Sequence, residues 1–253
     1  MSSASKPGSS RVSPGASPGA PQGGRALPGA PQGGRALPGD PQGERALPGD
    51  LQSERALPAW APGLRIGLFG GSFNPPHEGH RLASLVAMQR VGLDRVWWIV
   101  TPGNPLKRHD GLPDLDTRIA AALAVAHHPR IAVTGLEAGI GMRYTVDTVR
   151  YLKRRCPGVR FVWIMGADNL AQLPRWRRWR ELVDLVPIAT VDRPGSTFRS
   201  LHGRAAAVLA PGRLREADAR LLPLCRPPAF VYLHGPRSTA SSTALRDAGK
   251  GLG

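Results

Sequence analysis

Residues 70–80 read Gly70-Gly71-Ser72-Phe73-Asn74-Pro75-Pro76-His77-Glu78-Gly79-His80. Just before them stands Arg65-Ile66-Gly67-Leu68-Phe69, a short apolar run with the pattern of a buried strand. Just after them Leu82, Leu85, Val86 and Gln89 recur at helical spacing, which predicts a helix over His77–Val91. The unit is strand, glycine turn, helix. Gly70 and Gly71 carry no side chain to keep an anion away from the backbone N–H groups. Pro75 and Pro76 stiffen the turn and prepare the helix entry. The first N–H groups of a helix lack internal partners, and the dipole is positive at that end, so phosphate is favoured there. His77 and His80 are three apart and share a face. Two imidazoles beside a phosphate can donate hydrogen bonds to charge that builds up in a transition state. The plainer alternative is a pair of solvated surface histidines. A zinc reading of His-x-x-His needs a third ligand that the sequence does not nominate.

The rest of the chain extends this unit. Arg95–Val100 is a second apolar strand, so strand, helix and strand form a βαβ unit with a parallel pairing. Thr101-Pro102-Gly103-Asn104-Pro105-Leu106-Lys107 then leaves the C-terminal edge of the sheet, where open α/β sheets bind ligands. Asp114–His127 is expected as a helix with Ile119, Leu123 and Ala126 on one face. Arg130–Val133 is expected as a strand, Leu136–Met142 as a loop, and a helix should run to about Arg155 with Thr145 as its N-cap. Arg160–Met165 is a third strong strand, ending in Gly166-Ala167-Asp168, and Asp168 suits ribose hydroxyls or an N-cap. Pro187–Val191 and Ala229–His234 complete the predicted strands. Ser241-Ser242-Thr243 begins a last short helix whose end, with Arg246 one turn on, can hold phosphate. The architecture expected is α/β: a doubly wound parallel sheet of about five or six strands with helices on both faces.

Composition adds limits. The chain has 253 residues and a formal net charge of +16. Residues 1–60 hold only 6 basic and 4 acidic residues, so the basic excess lies in the remainder. Such a surface attracts nucleic acid and small polyanions alike. Trp176-Arg177-Arg178-Trp179-Arg180 interleaves aromatics and arginines, a pattern compatible with single-stranded nucleic acid. That reading leaves the phosphate motifs unexplained, and no nucleic-acid partner is expected. Cys156 and Cys225 lack metal-binding flanks and are expected as reduced thiols. No apolar run approaches a membrane span, and no membrane partner is expected. Residues 1–63 are rich in Gly, Pro, Ala and Arg and carry a ten-residue repeat beginning at Arg25, Arg35, Arg45 and Arg55. Each unit offers one leucine and no helix or strand length, so a disordered extension is expected, followed by a single domain over residues 64–253.

Gly-Ser-Phe-Asn-Pro-Pro-His-Glu-Gly-His resembles the first signature of the nucleotidyltransferase superfamily, and Ser241-Ser242-Thr243-Ala244-Leu245-Arg246 resembles its second. Within the superfamily, the span from about Arg65 to Arg246 is most similar to the bacterial nicotinate-nucleotide adenylyltransferases. The resemblance implies a Rossmann-like fold and adenylyl transfer from ATP to nicotinate mononucleotide in the cytoplasm, with Mg²⁺ arriving on ATP. It implies His77 and His80 as catalytic. It places Gly70, Gly71, Ser72, Phe73, Lys107, Ser241, Ser242, Thr243 and Arg246 at ATP. It places Tyr144, Thr145, Gly166, Asp168, Trp176 and Arg177 at ribose and nicotinate, with Trp176 stacking on the ring. In some members an aromatic follows that tryptophan and helps grip the carboxylate. Here it is Arg177, a residue type equally suited to a carboxylate. Other members use nicotinamide mononucleotide or phosphopantetheine as acceptor; Tyr144-Thr145 and Trp176-Arg177 favour the acidic ring on resemblance.

Overall fold

Alternation along three strands explains the layering. In β2 (Arg95–Val100), Trp97 and Ile99 face one side while Val96, Trp98 and Val100 face the other. β1 (Arg65–Gly71) and β4 (Arg160–Gly166) alternate likewise, with Leu68 and Trp163 on the first side and Phe69 and Ile164 on the second. A strand with apolar residues on both faces needs cover on both, so helices must lie above and below. The computed structural model describes residues 55–103, 112–192 and 201–235, with Leu245 and Gly249.

The sheet has seven strands in the order β3-β2-β1-β4-β5-β7-β6, and every pairing is parallel. The remaining strands are β3 (Ile131–Thr134), β5 (Ile188–Val191), β6 (Arg213–Leu214) and β7 (Phe230–Leu233). The sequence suggested five or six. The extra one, β6, has two residues and stands in the Arg/Pro/Ala-rich stretch where no periodicity shows.

One face is covered by α1 (Glu78–Val91), α2 (Leu115–Ala126) and the 3-10 helix Glu216–Leu224. The other is covered by α3 (Leu136–Gly139), α4 (Thr145–Arg155), α5 (Ala167–Gln172), α6 (Trp179–Leu185) and α7 (Arg204–Leu209). This is the doubly wound α/β arrangement expected. Order reverses between β1 and β4, whose carboxyl ends therefore flank a crevice, the ligand position of such sheets.

Some local expectations need correction. α1 itself lies where the spacing predicts, with Ala83, Ser84, Val86, Ala87, Met88 and Val91 buried and Gln89 exposed. On α2, Leu123 faces solvent, and the buried line is Arg118, Ile119, Ala122 and Ala126. Leu136–Met142 is not all loop, because Leu136–Gly139 forms a helical turn with Leu136 in the core. The packed chain also begins before residue 64. Leu57 and Trp60 lie against the core, the Ala56 carbonyl accepts from Thr134 Oγ1 at 2.8 Å, and Arg55 pairs with Asp116 at 2.7 Å.

Candidate active site

The glycine turn leaves β1 and enters α1 with His77 as N-cap, in extended backbone. His80 N donates to His77 O at 2.9 Å, and His77 N donates to His80 Nδ1 at 3.2 Å. These reciprocal bonds bring the two rings to 3.8 Å between centroids. His77 is only 5% exposed, so the solvated-surface alternative fails for it. Because His80 Nδ1 accepts, its neutral ring carries the proton on Nε2, a donor suited to phosphate oxygen.

Aromatic packing holds this pair. Phe73 stacks on Trp98 at 4.9 Å and lies 5.0 Å from His80. Its ring is in the core and its backbone is left-handed, with φ of 46°. Phe73 thus shapes the turn from inside. Trp98 Nε1 donates to Ser84 Oγ at 2.7 Å, and Ser84 Oγ donates to the His80 carbonyl at 2.9 Å. Packing also requires a glycine at position 70. A Cβ there would stand 2.6 Å from Trp163, so the tryptophan occupies the space a side chain would need.

Arg118 stands outside the sequence motifs, on the buried line of α2. It is 1% exposed, and its guanidinium donates to the carbonyls of Ser72, Thr101, Pro102 and Pro113 at 2.9, 2.7, 3.1 and 2.9 Å. One planar fork therefore ties the turn after β1 to the segment after β2. Burial lowers its pKa from the usual arginine value. The signal was present: Arg118 stands in register with Ala122 on the apolar line of α2, where a cation must have a structural use.

Across the reversal point stand the residues expected at ribose and nicotinate. Gly166 ends β4 and caps α5, so Asp168 falls in the first helical turn and is not the N-cap. Tyr144, not Thr145, is the N-cap of α4, and Thr145 is the first helical residue. A threonine side chain one position too late cannot close onto the first free N–H groups. The Arg177 guanidinium sits 4.9 Å over the Tyr144 ring. Trp176 meets Trp163 edge to face at 6.1 Å. Trp163 thus touches both halves, filling the space over Gly70 and supporting Trp176. Trp179 is buried in the core.

Beneath α4, Glu137 is 3% exposed and accepts from Thr148 Oγ1 at 2.8 Å. Burial pushes its carboxyl up to about 7. Asp192, at the end of β5, accepts from Tyr232 Oη at 2.6 Å. Lys107, Ser241, Ser242, Thr243 and Arg246 lie outside the described residues. Among the described residues, no group of three or more His, Cys, Asp or Glu could hold a metal ion. No described helix is long and apolar enough to cross a membrane, and Cys156 and Cys225 are free thiols.

A paired-histidine turn at the switch point of a parallel sheet defines a nucleotidyltransferase-type α/β protein. The Cytidylyltransferase-like family matches residues 68–248. A relative from Methylorubrum extorquens (strain PA1), named "Probable nicotinate-nucleotide adenylyltransferase", is 58% identical over 183 residues, covering 72% of this chain and 99% of its own. A relative of the same name from Agrobacterium fabrum is 52% identical over 182 residues, covering 72% and 97%. The solved nicotinic acid mononucleotide adenylyltransferase of Plasmodium falciparum, complexed with NaAD, shares the fold with a TM-score of 0.54 at 17% identity, covering 73% of this chain and 83% of its own. The chain belongs to the nicotinate-nucleotide adenylyltransferase family.

Proposed function

We infer that the chain transfers the adenylyl group of ATP to nicotinate mononucleotide, forming nicotinate adenine dinucleotide and pyrophosphate in NAD biosynthesis. The observation that carries this reading is the His77–His80 pair, held ring to ring at the head of α1 beside the reversal of strand order. The nicotinate mononucleotide phosphate is already an anion and needs no base. One of its oxygens attacks the α-phosphorus of ATP, and the bond to the β-phosphate oxygen breaks. The enzyme's work is to align the two phosphates and to neutralise charge on the oxygens. His77 and His80 donate to the α-phosphoryl oxygens, His80 through Nε2. By resemblance, Lys107, Arg246 and the Ser241–Thr243 helix end hold the triphosphate. ATP enters as its Mg²⁺ complex, so the metal is part of the substrate. Gly166 and Asp168 meet a ribose, Tyr144 and Thr145 border the acceptor ring, Trp176 stacks on it and Arg177 pairs with its carboxylate. The reaction belongs to the cytoplasm, where ATP is available. The catalytic domain begins near Arg55, and the repeat-bearing segment before it forms an extension.

The test is pyrophosphate release from MgATP with nicotinate mononucleotide, nicotinamide mononucleotide or phosphopantetheine as acceptor. Strong preference for the first is expected. Release with another acceptor alone would keep the histidine chemistry and overturn the acceptor assignment.

A further inference from the structure

The segment that carries Trp176 and Arg177 has an unusual end. After the 3-10 turn Leu173–Arg175, Arg178 adopts φ 55° and ψ 35°, a left-handed conformation, before α6 begins. Glycine is the ordinary solution there, since a Cβ crowds the following carbonyl. Keeping an arginine at such a position calls for a use of its side chain, and the contacts supply one. Arg178 Nη1 donates to Asp147 Oδ1 at 2.9 Å, while Nε and Nη2 grip Glu181 at 2.9 and 2.8 Å. Arg150 closes the figure from α4, reaching Asp147 at 3.2 Å and Glu181 at 2.9 Å. Two cations and two anions thus form a ring between α4 and α6. Asp147 is three residues after Tyr144 and shares its helix face. Adjacent arginines therefore engage successive positions of α4: Arg177 lies over Tyr144, and Arg178 pairs with Asp147.

All four side chains are a third or more exposed, or close to it. Such pairs add little stability and are screened by salt. Their geometry, rather than their strength, is what the site uses.

We propose that Arg178 is a positioning residue for acceptor recognition: its left-handed backbone and its ion pairs to Asp147 and Glu181 hold Arg177 over Tyr144 and Trp176 against Trp163, and so set selectivity for an acidic pyridine ring. The proposal rests on the adenylyl-transfer reading above. Arg178 itself touches no substrate. Glu181, held down to about 2 by hydrogen bonds from Arg178 and Arg150, stays charged throughout the working pH range, so the ring does not switch off near neutrality.

Arg178→Gly separates backbone from side chain, because glycine keeps the turn and removes the ion pairs. For this variant, KM for nicotinate mononucleotide should rise about tenfold, with kcat and KM for ATP within about twofold. The preference over nicotinamide mononucleotide should shrink. Arg178→Lys should recover part of the loss, and Asp147→Asn should reproduce most of it. Adding Asp147→Asn to Arg178→Gly should cost less than the sum of the two, as expected for coupled partners. A wild-type KM for nicotinate mononucleotide in Arg178→Gly would overturn the positioning role. So would equal losses for ATP and acceptor, which would mark a general structural part. A wild-type enzyme that does not turn over nicotinate mononucleotide would instead overturn the underlying reading, and the proposal with it.

Discussion

The turn bearing His77 and His80 and the region around Tyr144, Trp176 and Arg177 are built differently. The first is dry. His77, Phe73, Trp98 and Arg118 are buried, and the order comes from ring packing and from hydrogen bonds to main-chain carbonyls. The second is wet. Arg177 is exposed, and its neighbours are held by ion pairs between solvated side chains. On the proposed adenylyl transfer, charge that develops in the transition state is best met by donors that need not reorganise, which favours the dry construction around the histidines. A charged acceptor that must enter and leave is better served by exposed cations, which act in water at modest cost. Trp163 joins the two ends through one indole ring.

Breaking the dry end should have the largest effect. His80→Ala should lower kcat by about a thousandfold while the protein stays folded, as measured by pyrophosphate release beside circular dichroism. A folded, fully active variant would refute the histidine mechanism. Arg118→Met should come next. It strips donors from four carbonyls at once and should destabilise the fold by roughly 4 kcal/mol in denaturant titration. Arg150→Met, at the wet end, should change stability far less in the same titration.

Glu137 sharpens the contrast, because it is a dry group beneath the wet end. Its carboxyl rises from the ordinary value to about 7 in the folded chain. Below the unfolded pKa, near 4.3, both states are protonated and no penalty applies. As pH rises from about 4.5 to 7, the unfolded chain ionises first and stability is lost; beyond that the penalty is constant. The loss should be on the order of 3 kcal/mol, and Glu137→Gln should flatten stability across that window. An unchanged pH profile in the variant would show that Glu137 does not carry this titration. The smallest effect should come from Trp176→Ala. KM for nicotinate mononucleotide should rise about tenfold and kcat should hold, since the lost contact serves binding alone. A selective fall in kcat would place Trp176 nearer the chemistry than its contact with Trp163 suggests.

Much of this was legible before any coordinates. β1, β2 and β4 declare themselves as apolar runs bounded by glycine or charge, and the structure only lengthens β1 and β4 at their ends. Gly70–His80 reads as a turn into a helix because its residue types leave few other choices. The misses lie where spacing or composition leaves the packing open. Leu123 shares a helical face with Ile119 and Ala126 by spacing, but the residues of α2 that the fold buries are Arg118, Ile119, Ala122 and Ala126. β6 is too short to show a period and exists because β7 offers it an edge. Thr145 looks like a cap by composition, yet the chain enters α4 one residue earlier, at Tyr144.

The sequence alone determined the order of the main strands and helices, the covering of the sheet on both faces and the presence of a glycine turn leading into a helix. Those follow from periodicity and local conformational preference, which act over a few residues. Only the tertiary structure decided that Arg118 would bind four carbonyls from three segments, that Trp163 would close against Gly70 and Trp176, and that Arg177 would lie on Tyr144. These contacts join residues tens of positions apart. They depend on volumes and directions that exist only once the sheet has brought the carboxyl ends of β1 and β4 side by side.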